Sequence, residues 1–188
     1  VVLGAMLPDF ASMCGGRLAA QPDPTLATGV DLHQRTDGVF HALAPVQALM
    51  RELDGRLEQG GCARGPRKAV AHIGIELLLD GVLVDHAPYR ASFLAGVADD
   101  TPVEWLAPDG AERFAVLRAR LRSYGVPDDL RRPDAITYRL SRALAGRPRL
   151  APSSSDLTAI GSALVDQQPR VAIAADTVMR ALRATGTL

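Results

Sequence analysis

Two stretches of the chain place imidazole and carboxylate groups at four-residue intervals, the donor types that hold divalent cations or carry protons. In His72-Ile-Gly-Ile-Glu76-Leu-Leu-Leu-Asp80 the polar residues recur at i, i+4 and i+8. In Gly29-Val-Asp-Leu-His33-Gln-Arg-Thr-Asp37-Gly-Val-Phe-His41, His33, Asp37 and His41 repeat that spacing. At 3.6 residues per turn each set falls on one helix stripe about 80° wide. The first stripe interrupts an otherwise apolar segment, so it is expected to face the interior or a cleft. A bare carboxylate there costs several kcal/mol, more than an exposed helix pair of about 0.5 kcal/mol returns. The compensating partner is a metal ion, an arginine from a neighbouring helix, or exposure at the helix edge.

One such pair taken alone is ordinarily a solvated helix face. Two facing stripes, however, match the way helical bundles build metal sites from inward-projecting side chains. Asp9, an acidic residue in an apolar opening stretch, is placed to complete the shell. A mixed nitrogen and oxygen set suits manganese, iron or zinc better than calcium, and the absence of cysteine ligands argues against structural zinc. His41, about 80° from His33, is left to packing or substrate contact, and His86 to a helix end. Arg35, close in sequence to the second stripe, is a candidate phosphate contact. Cys14-Gly15-Gly16-Arg17 reads first as a helix C-cap, and second as a backbone nest in which Arg17 receives a phosphate.

The elements that must position these groups read as all-helical. Asp23 then Pro24 opens a helix running to about Leu43. Pro45 starts the next, through Val46, Leu49, Met50, Leu53 and Leu57 to a stop at Gly60-Gly61. After a loop holding Arg64, Gly65 and Pro66, the most apolar helix spans roughly Lys68 to Val84. Further patterns cover about Pro88 to Ala98, Asp109 to Tyr124, Asp128 to Ala145, and Asp156 to Ala184, the last broken near Pro169. Ser153 to Asp156 forms a polar run of the kind that caps a helix. With no repeat and no long linker, residues 1–188 are expected to form a single helical domain.

Composition narrows the function classes. The 188 residues carry 21 basic and 21 acidic side chains, with 47% hydrophobic and 4% aromatic residues. A zero formal charge argues against nucleic-acid and anionic-membrane binding, which need a basic excess. Lys68 is the sole lysine, a bias that reflects GC-rich coding rather than mechanism. Two cysteines, Cys14 and Cys62, are too few for a secreted disulfide scaffold and imply a reducing, cytoplasmic setting. No apolar run is long enough to span a membrane. The opening Val1-Val2-Leu3 has neither an initiator methionine nor a basic n-region, so no signal peptide is expected here, and sequence is expected to be missing before Val1.

The ordered motifs resemble those of the acyl carrier protein phosphodiesterase family, helical hydrolases related to the HD-domain phosphohydrolases. Gly4-Ala-Met-Leu-Pro-Asp9-Phe10 is similar to the family's Gly-Asn-x-Leu-x-Asp-Phe element. Gly29-Val-Asp-Leu-His33-Gln-Arg-Thr-Asp37 resembles its Gly-Ile-x-x-His-x-x-Ile-Asp element. Leu140-Ser-Arg-Ala-Leu-Ala-Gly-Arg-Pro-Arg-Leu150 is similar to its leucine-rich helix ending in Arg-Pro-Arg-Leu. The resemblance implies an HD-domain-like bundle, a divalent metal, typically manganese, and cleavage of the phosphodiester joining phosphopantetheine to a carrier protein. Asp9, His33 and Asp37 inherit its metal-site expectation, while His72 and Glu76 stand where the family has two aspartates. Leu77 replaces a family histidine, aromatics are scarce, and the family's Leu-Ala-His helix would precede Val1.

Stripes and resemblance together give a metal-dependent phosphoric ester hydrolase. Asp9, His33, His72 and Glu76 are the expected ligands. Asp37 is a ligand or general base, Asp80 orients His72 or Glu76, and Arg35, Arg17 and His41 meet the substrate. The alternatives are a noncatalytic helical binding protein that keeps the bundle, and a metal enzyme of another class such as an oxygen-activating iron protein, whose usual Glu-x-x-His spacing is absent.

Overall fold

Proline and glycine set where most of the helices begin and end. The computed structural model describes residues 1–186; it is all-helical, with no β-strand among the described residues. Its helices are α1 (Val2–Met13), α2 (Pro24–Ala42), α3 (Ala44–Gln59), α4 (Arg64–Leu83), α5 (Ala87–Ala98), α6 (Gly110–Tyr124), α7 (Pro133–Leu144) and α8 (Ser154–Ala184). Asp23 caps α2, its Oδ1 accepting from the amides of Thr25 and Leu26 at 2.8 and 2.9 Å. Pro24 then occupies the first helical position, where a missing N–H costs nothing. Gly60 ends α3, and Gly61 takes the left-handed conformation with φ 77° that turns the chain toward α4.

Three expectations are corrected. The segment Arg64-Gly65-Pro66 is the first turn of α4, not a loop, because proline is tolerated before the intrahelical amide bonds begin. The stretch 128–145 is two elements, a 3-10 turn over Asp128–Arg131 and then α7. Pro133 forces the preceding Arg132 into an extended conformation, φ −113° and ψ 119°, which a continuous helix forbids. Conversely, α8 continues through Pro169. The proline is exposed, as is Val165 one turn earlier, so the carbonyl that loses its amide partner lies on the watered side of the helix. Gln167 and Val171, fully buried on either side of it, hold the helix in place.

The chain divides into two units. The first comprises Val1–Gly38 and His86–Pro127. Leu3, Leu7 and Phe10 of α1 pack there with Leu26 of α2, Val97 of α5 and Phe114 of α6. Trp105 stands 5.3 Å from the Phe114 ring, held by an isolated antiparallel bridge to Leu18.

The second unit comprises Val39–Asp85 and Asp128–Gly186. Its centre is α4, which packs against α3, α7, α8 and the 3-10 turn. Leu53, Leu57, Ile75, Leu78, Ile136, Leu140, Leu144, Ile160 and Leu164 are each essentially inaccessible to water. Burial of such a side chain is worth about 1.5–3 kcal/mol. These contacts consume the Val70, Ala71, Gly74, Ile75, Leu78 and Leu79 side of α4 and leave another edge for its polar residues.

Among the described residues no helix is long and apolar enough to cross a membrane. Cys14 and Cys62 are free thiols.

Candidate metal centre

The α4 stripe lies on that remaining edge. His72 and Asp80 are exposed and Glu76 is half-buried, so the expectation that the stripe faces the interior is corrected. The physical reason is the helix period: positions 72, 76 and 80 sit about 200° from 74 and 78, which face the core. The Glu76 carboxylate therefore retains contact with water.

Within the second unit His41, in the last turn of α2, meets this edge. Its Nε2 lies 3.2 Å from Glu76 Oε1, and His72 Nε2 lies 3.2 Å from the same oxygen. The imidazole rings stack with centroids 4.3 Å apart and planes 26° from parallel. Phe40 stands edge-on to His41 at 5.1 Å, and Gln47 donates to the His41 carbonyl at 3.2 Å. Among the described residues, His41, His72 and Glu76 form the one group of three His, Cys, Asp or Glu side chains whose ligand atoms all lie within 4.8 Å of one another. Ligands about 2.1 Å from a shared centre are separated by about 3.0 to 3.4 Å; the two His–Glu76 separations of 3.2 Å fall in that range, and the third separation lies within 4.8 Å. Exposure of 24%, 34% and 51% for His41, Glu76 and His72 leaves one side of the group open.

A second polar set lies in the first unit, where the helices touch backbone to backbone. A side chain on Gly29 of α2 would strike the Val1 carbonyl and the Ala5 amide, and one on Gly4 of α1 would strike the Leu26 carbonyl. This approach lets His33, one turn beyond Gly29, reach the Ala5 carbonyl at 2.9 Å through Nδ1. With Nδ1 donating there, Nε2 keeps its lone pair, the arrangement common in metal-bound histidines. Asp9 is itself exposed on α1, yet desolvation by the protein packed around it holds its carboxyl above the ordinary range, with His33 opposing the shift and Asp37 adding to it. Asp9, His33 and Asp37 thus share an electrostatic neighbourhood, but their ligand atoms do not converge as those of the His41 group do.

Arg17 and Arg35, the expected phosphate contacts, lie on the first unit. The Gly15 and Gly16 amides donate to the Ser12 and Ala11 carbonyls at 3.2 and 2.8 Å, so the turn ahead of Arg17 is a helix C-cap in which these two amides are already used. Arg35 is exposed and lines a shallow depression with Thr28, Asp31 and Gln34. Two residues from both His33 and Asp37, it sits about 200° around α2 from their stripe. His86, just ahead of α5, lies against Tyr89 with the ring centroids 4.4 Å apart and the planes tilted by 34°.

Sequence reasoning gave His41 the least weight of its stripe. The signal was nonetheless present: the i+8 spacing carries a third donor to the end of α2. Compared with known proteins, the chain matches no family model, no curated protein and no solved structure.

Proposed function

We propose that this chain is a metal-dependent hydrolase of phosphoric esters, built on an HD-domain-like helical bundle, with His41, His72 and Glu76 holding its ion. The supporting observation is the convergence of two imidazole nitrogens on one carboxylate oxygen at 3.2 Å each. When bound, a divalent ion such as manganese supplies Lewis acidity toward a phosphoryl oxygen and acidifies water. Glu76 provides the negative charge that retains the ion. His41 and His72 supply neutral imidazole donors. Asp80, one turn beyond Glu76, orients the α4 pair, an outer role of a kind that commonly tunes ligand basicity. Asp9, His33 and Asp37 keep, as a separate set within the first unit, the metal-site role implied by the family resemblance. His41 moves from substrate contact to ligand. The substrate is a phosphodiester, with a phosphopantetheinylated carrier protein as the resemblance suggests.

The test is metal analysis of protein purified without chelator, followed by the same analysis of His41→Ala and Glu76→Ala. Metal retained by the parent and lost from both variants is expected; equal metal content in all three overturns the assignment. Turnover of bis-p-nitrophenyl phosphate with added manganese then reads the reaction. Leu77, in place of the family histidine, favours a second reading: a noncatalytic helical protein that binds the ion without turnover.

A further inference from the structure

The outer face of α8 carries charges whose signs reverse about its centre. Between Asp156 and Arg183 the only ionisable side chains are Asp166, Arg170, Asp176 and Arg180, which stand seven and three residues before Ile173 and three and seven after it. Each negative charge on one side of Ile173 is thus matched by a positive charge at the same distance on the other. At 3.6 residues per turn, positions three and seven away lie within about 60° and 20° of Ile173, so the five residues share one face of the helix. All five are exposed.

Between the charges this face is apolar. Ile173 is 79% exposed, and Val165, Pro169 and Ala172 beside it are exposed as well, while Leu164, Gln167, Val171 and Val178 are buried in the core on the other side. The charges are only partly engaged within the chain. Asp166 lies 3.8 Å from Arg56, and Arg170 meets Glu52 at 3.0 Å through one terminal nitrogen. Arg180 donates to the Asp176 carbonyl and the Thr177 hydroxyl at 3.3 and 3.4 Å. Neither Arg180 nor the Asp176 carboxylate has an ion-pair partner among the described residues.

We propose that this face of α8 binds a second copy of the chain, laid antiparallel and crossing at Ile173. A twofold axis through the crossing sets Ile173 against its counterpart, Asp166 of each copy opposite Arg180 of the other, and Arg170 opposite Asp176, every pair being made twice. Arg170 keeps Glu52 on one terminal nitrogen and offers the other. A parallel pair in register would set each charge against its like, so the pattern selects direction as well as partner. Ion pairs at an exposed edge mainly orient the helices, and burial of Ile173, Val165 and Pro169 supplies the affinity. One helix laid on its copy buries less than the roughly 1,200 Å² of a stable interface, so dissociation is expected on the order of 100 µM. The proposal is independent of the metal reading above.

Sedimentation equilibrium of the full chain at low ionic strength, from about 10 µM to about 1 mM, tests this. A reversible monomer–dimer equilibrium is expected in the parent, and a monomer throughout in Ile173→Asp. Asp166→Arg and Arg180→Asp each set like charges opposite one another and should weaken the dimer at least about threefold, whereas the double variant restores the pairing with its signs exchanged and should return to within about twofold of the parent. Circular dichroism checks the helix content of every variant. A parent that stays monomeric overturns the proposal, as does dimerisation undiminished in Ile173→Asp. A double variant that fails to recover, or single variants that dimerise as the parent does, overturns the antiparallel pairing.

Discussion

His41 and His72 stack face to face at 4.3 Å although they belong to different helices, and the same Glu76 oxygen lies 3.2 Å from the Nε2 of each. In the metal-free chain this half-exposed arrangement contributes little, about 0–1 kcal/mol, because water screens it. His41→Ala should therefore leave the apo melting temperature nearly unchanged. Bound metal alters the comparison: ligand at 100 times Kd stabilises the native state by about 2.7 kcal/mol, and a chain of this size gains about 2–4 °C per kcal/mol. Thermal melts followed by circular dichroism with and without manganese should show a rise of several degrees in the parent and none in His41→Ala. Equal rises in both would exclude His41 as a ligand.

Asp156 joins the start of α8 to the start of α4. Its Oδ1 accepts from the Ala63 amide at 2.7 Å, while Oδ2 accepts from the Ser153 amide and hydroxyl at 2.8 and 2.7 Å. The Ser153 hydroxyl, followed by the two amides, lowers its pKa from 3.8 to about 2. A carboxylate depressed in the folded state contributes stability above its unfolded pKa and loses it as pH falls toward the folded value. The contribution at pH 7 is about 2 kcal/mol at 1.36 kcal/mol per unit. Asp156→Asn, which keeps a capping side chain without the charge, should lose about that amount in urea unfolding at pH 7. The gap between parent and variant should narrow steadily between pH 4 and pH 2. A gap of constant size would show that charge is not its source.

Cys62 lies beside this cap. Burial first, and the Asp156 charge second, push its thiol up to about 12. Because the thiolate is the nucleophile, about one molecule in ten thousand is reactive at pH 8. Cys14, half-buried at the end of α1, is the better target. Timed alkylation with iodoacetamide, read by mass spectrometry, should label Cys14 first and Cys62 only in urea. Comparable native rates at both thiols would contradict this protection.

Much of this architecture is written locally. Asp23-Pro24, Gly60-Gly61 and the Ser153 to Asp156 run each act on their own backbone, so their capping is legible without knowing what surrounds them. The break at Pro133 and the continuity of α8 through Pro169 are less legible because they depend on different things. The first follows from the steric demand on Arg132 alone, whereas the second depends on which way the proline faces, a consequence of what α8 packs against. The site divides similarly. Spacing predicts that His72 and Glu76 share a stripe, since that is helix geometry. That His41 joins them depends on where α2 ends relative to α4, which no residue in either helix encodes alone. The apolar character of the α4 segment misled in one respect: helices that pack on several sides still keep an edge, and the polar residues occupy it.

The packing of α4 gives the last prediction. Glycine inside a helix costs about 1 kcal/mol relative to alanine, so replacing Gly55 or Gly81 by alanine should on propensity alone stabilise the chain. Their surroundings differ. A Cβ on Gly55 of α3 meets nothing within 4 Å, whereas one on Gly81 of α4 lands on the carbonyl oxygen of Leu130 in the 3-10 turn. That oxygen belongs to backbone and cannot rotate away, and Leu130 is itself buried in the core. Relieving the overlap means separating α4 from the turn, at a cost of about 1–3 kcal/mol or more that outweighs the propensity gain. Gly55→Ala should raise stability by up to about 1 kcal/mol, read as a higher urea midpoint. Gly81→Ala should lower it despite the identical chemical change. Stabilisation by both substitutions would mean that the 3-10 turn does not approach α4 as closely as the structure has it.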